Sequence, residues 1–293
     1  MLRRMDMNQI SMSYAKKTNF VEFIIYLLLA ICAFICIVPF WYVITSSVSR
    51  VSGFLINDFT LDAYKYIFST RTLPRSLMLT IYITIAGTIV KLLFTSLMAY
   101  SLAEKSLPGR ALLLKMVIFT MLFSGGMIPT YFVVKQTGLI NSLWSIIIPS
   151  LISPFNLIVL KNFFESIPND LKESARIDGC HEIIILFRII MPISLPSLAT
   201  FGLFYAVGIW NTYMSALLYI QKSEMWPIQV LLRRIVYVSA GLGDSETIDS
   251  DLVSLSQSIK MAVIMVATTP ILCVYPFLQK YFTKGILIGS IKG

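Results

Sequence analysis

His181 is the only histidine in the chain, so a Ser-His-Asp triad or a histidine metal site would have to be built around that one side chain. The four cysteines, Cys32, Cys36, Cys180 and Cys273, form no CxxC pair and no His/Cys cluster of metal-ligand spacing. Three of them sit in apolar runs and read as small buried hydrophobes. No GxxxxGK[ST] loop is present, so ATP cannot be held in that way. What remains is chemistry of position rather than of catalysis. Lys91 is a single charge in an apolar stretch, Glu173 and Asp178 lie just before Gly179, and Trp210, Asn211 and Tyr213 interrupt a long apolar segment. An enzyme active site of the usual kinds is poorly supplied.

The elements that must position these residues are membrane helices. Of 293 residues, 57% are hydrophobic and 13% charged, about half the charged share of a soluble domain, and the mean hydropathy is +0.79. The net charge of +9 is spread in single and paired residues rather than along one face, which argues against a nucleic-acid partner. A helix needs roughly 20 apolar residues to cross the hydrocarbon core. Six stretches come near that length: Phe23–Ile44, Ser76–Ala103, Met116–Val134, Ile140–Leu160, a fifth starting near Ser197 after Pro192 and Pro196, and Met261–Leu278. The polar, basic segment 1–22 precedes a run of full spanning length with no clear small-residue cleavage site, so the first span is expected to be retained. Fourteen of the 24 Lys and Arg residues fall on the side of the termini and nine on the other, which predicts both termini in the cytoplasm. The expected fold is therefore all-α with six transmembrane helices over 23–283, a cytoplasmic loop at 161–196, an external loop at 221–259 and a cytoplasmic tail at 284–293.

The segment Ile167–Gly179 carries the punctuation of a short helix. Asn169 or Asp170 can cap its first turn, Glu173 follows Asp170 at capping-box spacing, and Gly179 can adopt the left-handed conformation that stops it. A second short helix should run from about His181 to Ile190, with Asp178 available as its cap, and end at Pro192 and Pro196. A solvated hairpin that merely links two spans would use the same punctuation.

This segment resembles the EAA motif of binding-protein-dependent ABC importer permeases, written E-A-A, three residues, G, nine residues, I, one residue, L-P. Glu173, Ala175, Gly179, Ile189 and Pro192 match at the right spacing, while Ser174 and Met191 replace an Ala and a Leu. The stretch Ala206-Val-Gly-Ile-Trp-Asn-Thr-Tyr and the ending from Lys284 to Gly293 also look like carbohydrate-uptake permeases, nearest the MalG-like branch with LplC-type, YtcP-type and alginate-importer permeases. The resemblance covers most of the chain. It implies a type I ABC importer (MetI-like) permease fold in the bacterial cytoplasmic (inner) membrane. Its implied partners are a second permease chain as a heterodimer, two ATPase subunits that hold ATP and Mg, and an extracytoplasmic solute-binding protein. It implies a non-catalytic subunit that moves an oligosaccharide or polysaccharide fragment, acidic ones such as alginate among them. In that reading Glu173, Ser174, Ala175, Asp178, Gly179 and Pro192 form the ATPase-coupling segment, and the tail with Lys292 and Gly293 reaches between the ATPase subunits. By itself that tail reads as a frayed terminus.

For the path, Thr200, Phe204, Gly208, Asn211 and Ser215 recur at steps of four, four, three and four, a helical face of small, polar and aromatic residues. Such a face serves helix packing, or equally a sugar path with Trp210 and Tyr213 as stacking surfaces. Lys91 either faces a cavity or snorkels to the interface. In the external loop, Asp249 and Asp251 belong either to a solvated surface or to a docking site for the solute-binding protein. A secondary transporter driven by an ion gradient is the alternative function; it would use intramembrane carboxylates, and none of the six stretches as drawn contains Asp or Glu.

Overall fold

A computed structural model describes residues 2–239 and 257–290, with side chains at 20–237 and 257–274. The regular elements among them are helices; the only β-type pairing there is an isolated bridge between Ser49 and Phe59. In order they are α1 (Leu2–Ser47), α2 (Asp62–Ser69), α3 (Thr72–Ala103), α4 (Arg110–Leu122), α5 (Met127–Gln136), α6 (Trp144–Ile147) with a 3-10 turn at Ile148–Ser150, and α7 (Pro154–Glu165). Then come α8 (Asn169–Ile177), α9 (Glu182–Ile185), a π-helical turn at Leu186–Ile190, α10 (Met191–Ile193), α11 (Leu195–Trp210), α12 (Met214–Tyr219), α13 (Ile228–Ser239) and α14 (Gln257–Ser290).

Three described stretches are each long and apolar enough to cross a bilayer unaided: Phe20–Ser47, Thr72–Ala103 and Gln257–Val274. Three more reach that length only as bent pairs: Arg110–Leu122 with Met127–Gln136 at 118°, Trp144–Ser150 with Pro154–Glu165 at 58°, and Glu182–Ile193 with Leu195–Trp210 at 88°. The straight spans expected at 116–134 and 140–160 are thus both broken. The first breaks at Ser124-Gly125-Gly126, where Gly126 takes φ +83° and donates its N–H to Ser124 Oγ at 3.2 Å. The second breaks between Pro149 and Pro154, and Ser153 restarts it as an N-cap accepting from the Asn156 N–H. The fifth span starts at Leu195 rather than Ser197, because Pro196 falls in the first turn, where a missing N–H removes no helical hydrogen bond.

The chain forms two compact units, 1–66 with 255–265 and 67–254 with 266–293. In the first, buried hydroxyls close the end of α1. Thr45 Oγ1 donates to Gly53 O at 2.6 Å, Tyr64 OH to Ser47 Oγ at 2.9 Å and Ser258 Oγ to Ser49 O at 2.6 Å. In the second, α3 is the central helix. Its buried face runs through Ser76, Thr80, Ile83, Gly87, Lys91, Thr95, Ala99 and Leu102, a seam of mostly small residues at steps of three and four. At Gly87 a Cβ would stand 2.8 Å from Ile209 Cδ1 and 3.2 Å from Ile147 Cγ1, so the absent side chain lets α11 and α6 press against α3. One apolar core joins α3, α7, α8, α9 and α11 through Ala99, Leu102, Leu160, Phe164, Ala175, Ile185 and Phe201; a second, around Ile83, Ile147, Ile209, Ile220 and Val230, seats α13 against the other end of α3.

Candidate functional site

The motif-bearing segment folds as a tight hairpin. Pro168 occupies the N-cap of α8 without a side-chain cap, so the expected capping box of Asp170 and Glu173 is not formed, because the helix already begins at Asn169. Ser174 Oγ instead donates back to Asp170 O at 2.7 Å. At the other end the expected stop is present. Gly179 has φ +77°, its N–H reaches Arg176 O at 3.0 Å and the Cys180 N–H reaches Ala175 O at 2.9 Å, the paired bonds of a Schellman termination. Asp178 is the C-cap of α8 and not the cap of the next helix; His181 takes that place, its ring accepting from the Ile183 N–H at 3.5 Å. The next helix runs on past the expected end at Ile190 to Ile193. Pro192 lies in the first turn of α10 after the wide turn at 186–190, and is exposed.

The helix α8 has two unlike faces. Lys172 and Ala175 are buried, with the Lys172 ammonium 5.9 Å above the Tyr100 ring. Leu171, Glu173, Ser174, Ile177 and Asp178 are exposed, Ile177 at 86%, and Glu173 makes no ion pair among the described residues.

Between the faces stands a residue that the motif did not single out. Arg176 Nη2 bonds Glu104 Oε2 at 2.8 Å, just past the end of α3, and its Nε bonds Glu182 Oε1 at 2.7 Å. Tyr100 OH donates to the other Glu182 oxygen at 2.6 Å, and Ser106 Oγ donates to Glu104 Oε1 at 3.0 Å. The Arg176 hydrogen bond is the main reason that both carboxyls are held below the ordinary carboxylate range. This network lines a cleft of about 490 Å³ with Leu97, Leu107, Ile183 and Leu186. A second cluster lies at the start of α4, where Arg110 bonds Leu102 O at 2.8 Å and Glu165 at 3.0 Å, and Lys161 pairs with Glu165 at 2.5 Å. The signal for the first cluster was in the sequence: Arg176 and Glu182 flank the Gly179 stop, and a tight hairpin brings such flanks together.

Lys91 is buried at 6% exposure, so it does not snorkel. Its ammonium donates to Ser150 Oγ at 2.8 Å and lies 5.8 Å from the Tyr205 ring centre. Tyr205 OH bonds Thr95 at 2.7 Å and accepts from the Ser153 N–H at 3.1 Å. The break at 151–153 is thereby pinned between α3 and α11. The helical face expected from Thr200 to Ser215 ends early, since α11 stops at Trp210 with Asn211 as its C-cap, Nδ2 donating to Val207 O at 2.9 Å. Phe204, Gly208 and Asn211 are exposed together. Trp210 is buried and donates to Ala267 O at 3.1 Å, which makes it an anchor between α11 and α14. Tyr213 is half-buried beneath the guanidinium of Arg233, 4.4 Å from the ring centre. Asp249, Asp251, Lys292 and Gly293 lie outside the described residues.

A helical protein whose apolar stretches include three of full spanning length and three broken pairs is an integral membrane protein. The polygalacturonan/rhamnogalacturonan transport system permease protein YtcP of Bacillus subtilis (strain 168) is 52% identical over 285 residues, covering 94% of this chain and all of the relative. LplC of the same organism is 53% identical over 266 residues, covering 88% of this chain and 90% of the relative. A chain of the crystal structure of a bacterial ABC transporter involved in the import of the acidic polysaccharide alginate superposes with a TM-score of 0.81 at 30% identity, over 90% of this chain and 97% of that one. No family model matches the chain. This chain belongs to the family of ABC sugar-transport permeases.

Proposed function

We propose that this chain is the membrane-spanning, non-catalytic subunit of an ATP-driven importer and forms half of the translocation path for an oligosaccharide or polysaccharide fragment. Six spans, two of them broken and a fifth formed by α11, with both termini in the cytoplasm of a bacterial inner membrane, accord with the distribution of Lys and Arg. The segment 161–196, including the first half of the last bent pair, is then cytoplasmic and α13 external.

The observation that carries the coupling reading is the division of α8. Its rear face is fixed by Lys172, Ala175 and the Arg176 network, while Leu171, Glu173 and Ile177 are left exposed. A helix with a locked back and an apolar, acidic front suits a groove on another protein. We assign that groove to an ATPase subunit, with Glu173 pairing a basic residue there. Closure of the two ATPase subunits around ATP and Mg would move α8, and the ionic clusters would hand that motion to α3, α4 and α7. A second permease chain completes the path. An extracytoplasmic solute-binding protein docks at the external loop with Asp249 and Asp251, and the tail ending in Lys292 and Gly293 extends between the ATPase subunits. The names of the relatives favour an acidic polysaccharide fragment as cargo.

The test is ATPase activity of the chain coexpressed with its candidate partner subunits and reconstituted in liposomes, with binding protein loaded with candidate oligosaccharides. Stimulation by one loaded sugar is expected. A chain that never assembles with an ATPase, yet moves solute down an ion gradient, would overturn the reading in favour of a secondary transporter.

A further inference from the structure

The exposed face of α11 runs through Phe204 and Gly208 to the C-cap Asn211, and two residues on, the half-buried Tyr213 meets a cation from a different element. Helix α13 is fixed on the bundle by its apolar side: Ile228, Leu231 and Ile235 are buried, and the Ile228 N–H donates to Thr80 Oγ1 on α3 at 2.8 Å. That fixing sets Arg233 over the Tyr213 ring and, one residue on, Arg234 over Trp226 at 4.5 Å. The two arginines differ. Trp226 is itself tied down by its indole N–H to Ile220 O at 3.0 Å, and Arg234 is half-buried. Arg233 is exposed, and among the described residues it has no carboxylate partner. A guanidinium lying over an aromatic face keeps its N–H edges for a planar anion, and the ring edge beside it remains a surface on which a sugar can lie.

We propose that Arg233, held on Tyr213, is an anion-reading site at the external end of the path, and that it takes the carboxylate of a uronic-acid oligosaccharide. The inference rests on the importer reading given above, with its acidic cargo, and adds to it the residue that reads the charge. A bidentate carboxylate pair needs the fork geometry of arginine, so lysine is an incomplete substitute. The headgroup of a net-anionic lipid would be drawn by the same cation, and the lipid composition separates the two.

The experiment uses the complete importer, with its partner permease, ATPase and binding protein, in phosphatidylcholine vesicles with and without phosphatidylglycerol. Initial ATP-driven uptake of trigalacturonate and of galactotriose is measured for wild type, Arg233→Lys and Arg233→Gln. The expected result is trigalacturonate uptake reduced about tenfold in Arg233→Gln and less in Arg233→Lys, in both lipid mixtures, with complex yield and basal ATPase activity unchanged. Equal uptake by all three proteins would overturn the inference. So would a defect confined to vesicles with phosphatidylglycerol, a parallel loss of complex yield, or a wild type that imports galactotriose and rejects trigalacturonate; in each of these cases the importer reading stands, in the last without its acidic cargo. A wild type that neither assembles with an ATPase nor takes up either sugar would remove both.

Discussion

Arg176 on α8 and Glu104 past the end of α3 are 72 positions apart in the chain, and their side chains meet at 2.8 Å. That ion pair, with Glu182 as the second acceptor, is the polar tie between the motif-bearing helix and the central helix of its unit. Reversing Arg176 to Glu should uncouple ATP hydrolysis from uptake, and Glu104→Arg in the same chain should recover part of it. Because both side chains are more than a third exposed, the coupling energy in a double-mutant cycle should be only about 1 kcal/mol. Additive effects of the two changes on uptake would count against the tie.

The same network sets an acid limit. Glu104 and Glu182 have folded-state pKa values lowered below the ordinary value of 4.5, first by the Arg176 hydrogen bond. Their stabilisation is therefore complete above the ordinary range and is lost as pH falls through the lowered values. Thermal unfolding of the purified protein should be flat from pH 8 to 5 with respect to these groups and then decline. Arg176→Gln should be less stable at neutral pH and lose less on acidification. Parallel curves for the two proteins would contradict the assignment.

Gly179 has open space around it, since a Cβ there would meet no atom within 4 Å. Its requirement is therefore conformational and not one of close packing in the hairpin. Gly179→Ala should already cost about 1–2 kcal/mol of local stability, Gly179→Leu little more, and Gly179→Asn less than either. Proteolytic nicking at 178–181 would rank the variants, and a large excess cost for Leu over Ala would mean that crowding governs the site after all.

Glu173 is exposed and without an ion pair among the described residues, so its reversal should be silent in the isolated chain. Glu173→Lys is expected to change unfolding by no more than about 0.5 kcal/mol while abolishing co-purification with the ATPase and uptake. Retained co-purification would detach Glu173 from coupling.

Lys91 and Ser150 should respond asymmetrically. Ser150→Ala strands a buried ammonium and should cost about 1–3 kcal/mol, whereas Lys91→Met removes the charge with the need for its partner and should be neutral or stabilising. Chemical denaturation in detergent would rank them; the reverse order would mean that the ammonium has a better partner than Ser150.

Local structure was the most readable part of the sequence. Apolar length marked the membrane helices, and Gly179 marked the end of α8 because a left-handed residue there is a local need that glycine meets. The breaks at 123–126 and 151–153 were not anticipated, although Ser124-Gly125-Gly126 and Pro149 stand in the sequence, because apolar length alone does not tell a straight helix from two tilted ones. Helical periodicity identified a face from Thr200 to Asn211 but not that Trp210 turns inward to Ala267, since the direction of each side chain depends on where α14 lies. Of the Arg176 network, the Glu182 half was signalled by the Gly179 stop between the two residues, while the Glu104 half was illegible for the same reason. Periodicity says which residues share a face, and only the packed helices say that Glu104 comes within reach of a side chain 72 positions away.

The wide turn at Leu186–Ile190, closed by the Met191 N–H on Leu186 O, holds one residue more than an α-helical turn would. Deleting a single residue there would let the stretch close to an ordinary helical turn with the phase of its flanks nearly kept, because the extra residue is taken up inside the turn. Deleting one from the α-helical turns on either side would instead swing everything before it by about 100° relative to α11. Leu171, Glu173 and Ile177 would then address a different direction in space, with every one of them still present. The length of the α-helical turns flanking the wide turn acts as a clocking device: it sets the azimuth of the outward face of α8 independently of which apolar side chains fill them.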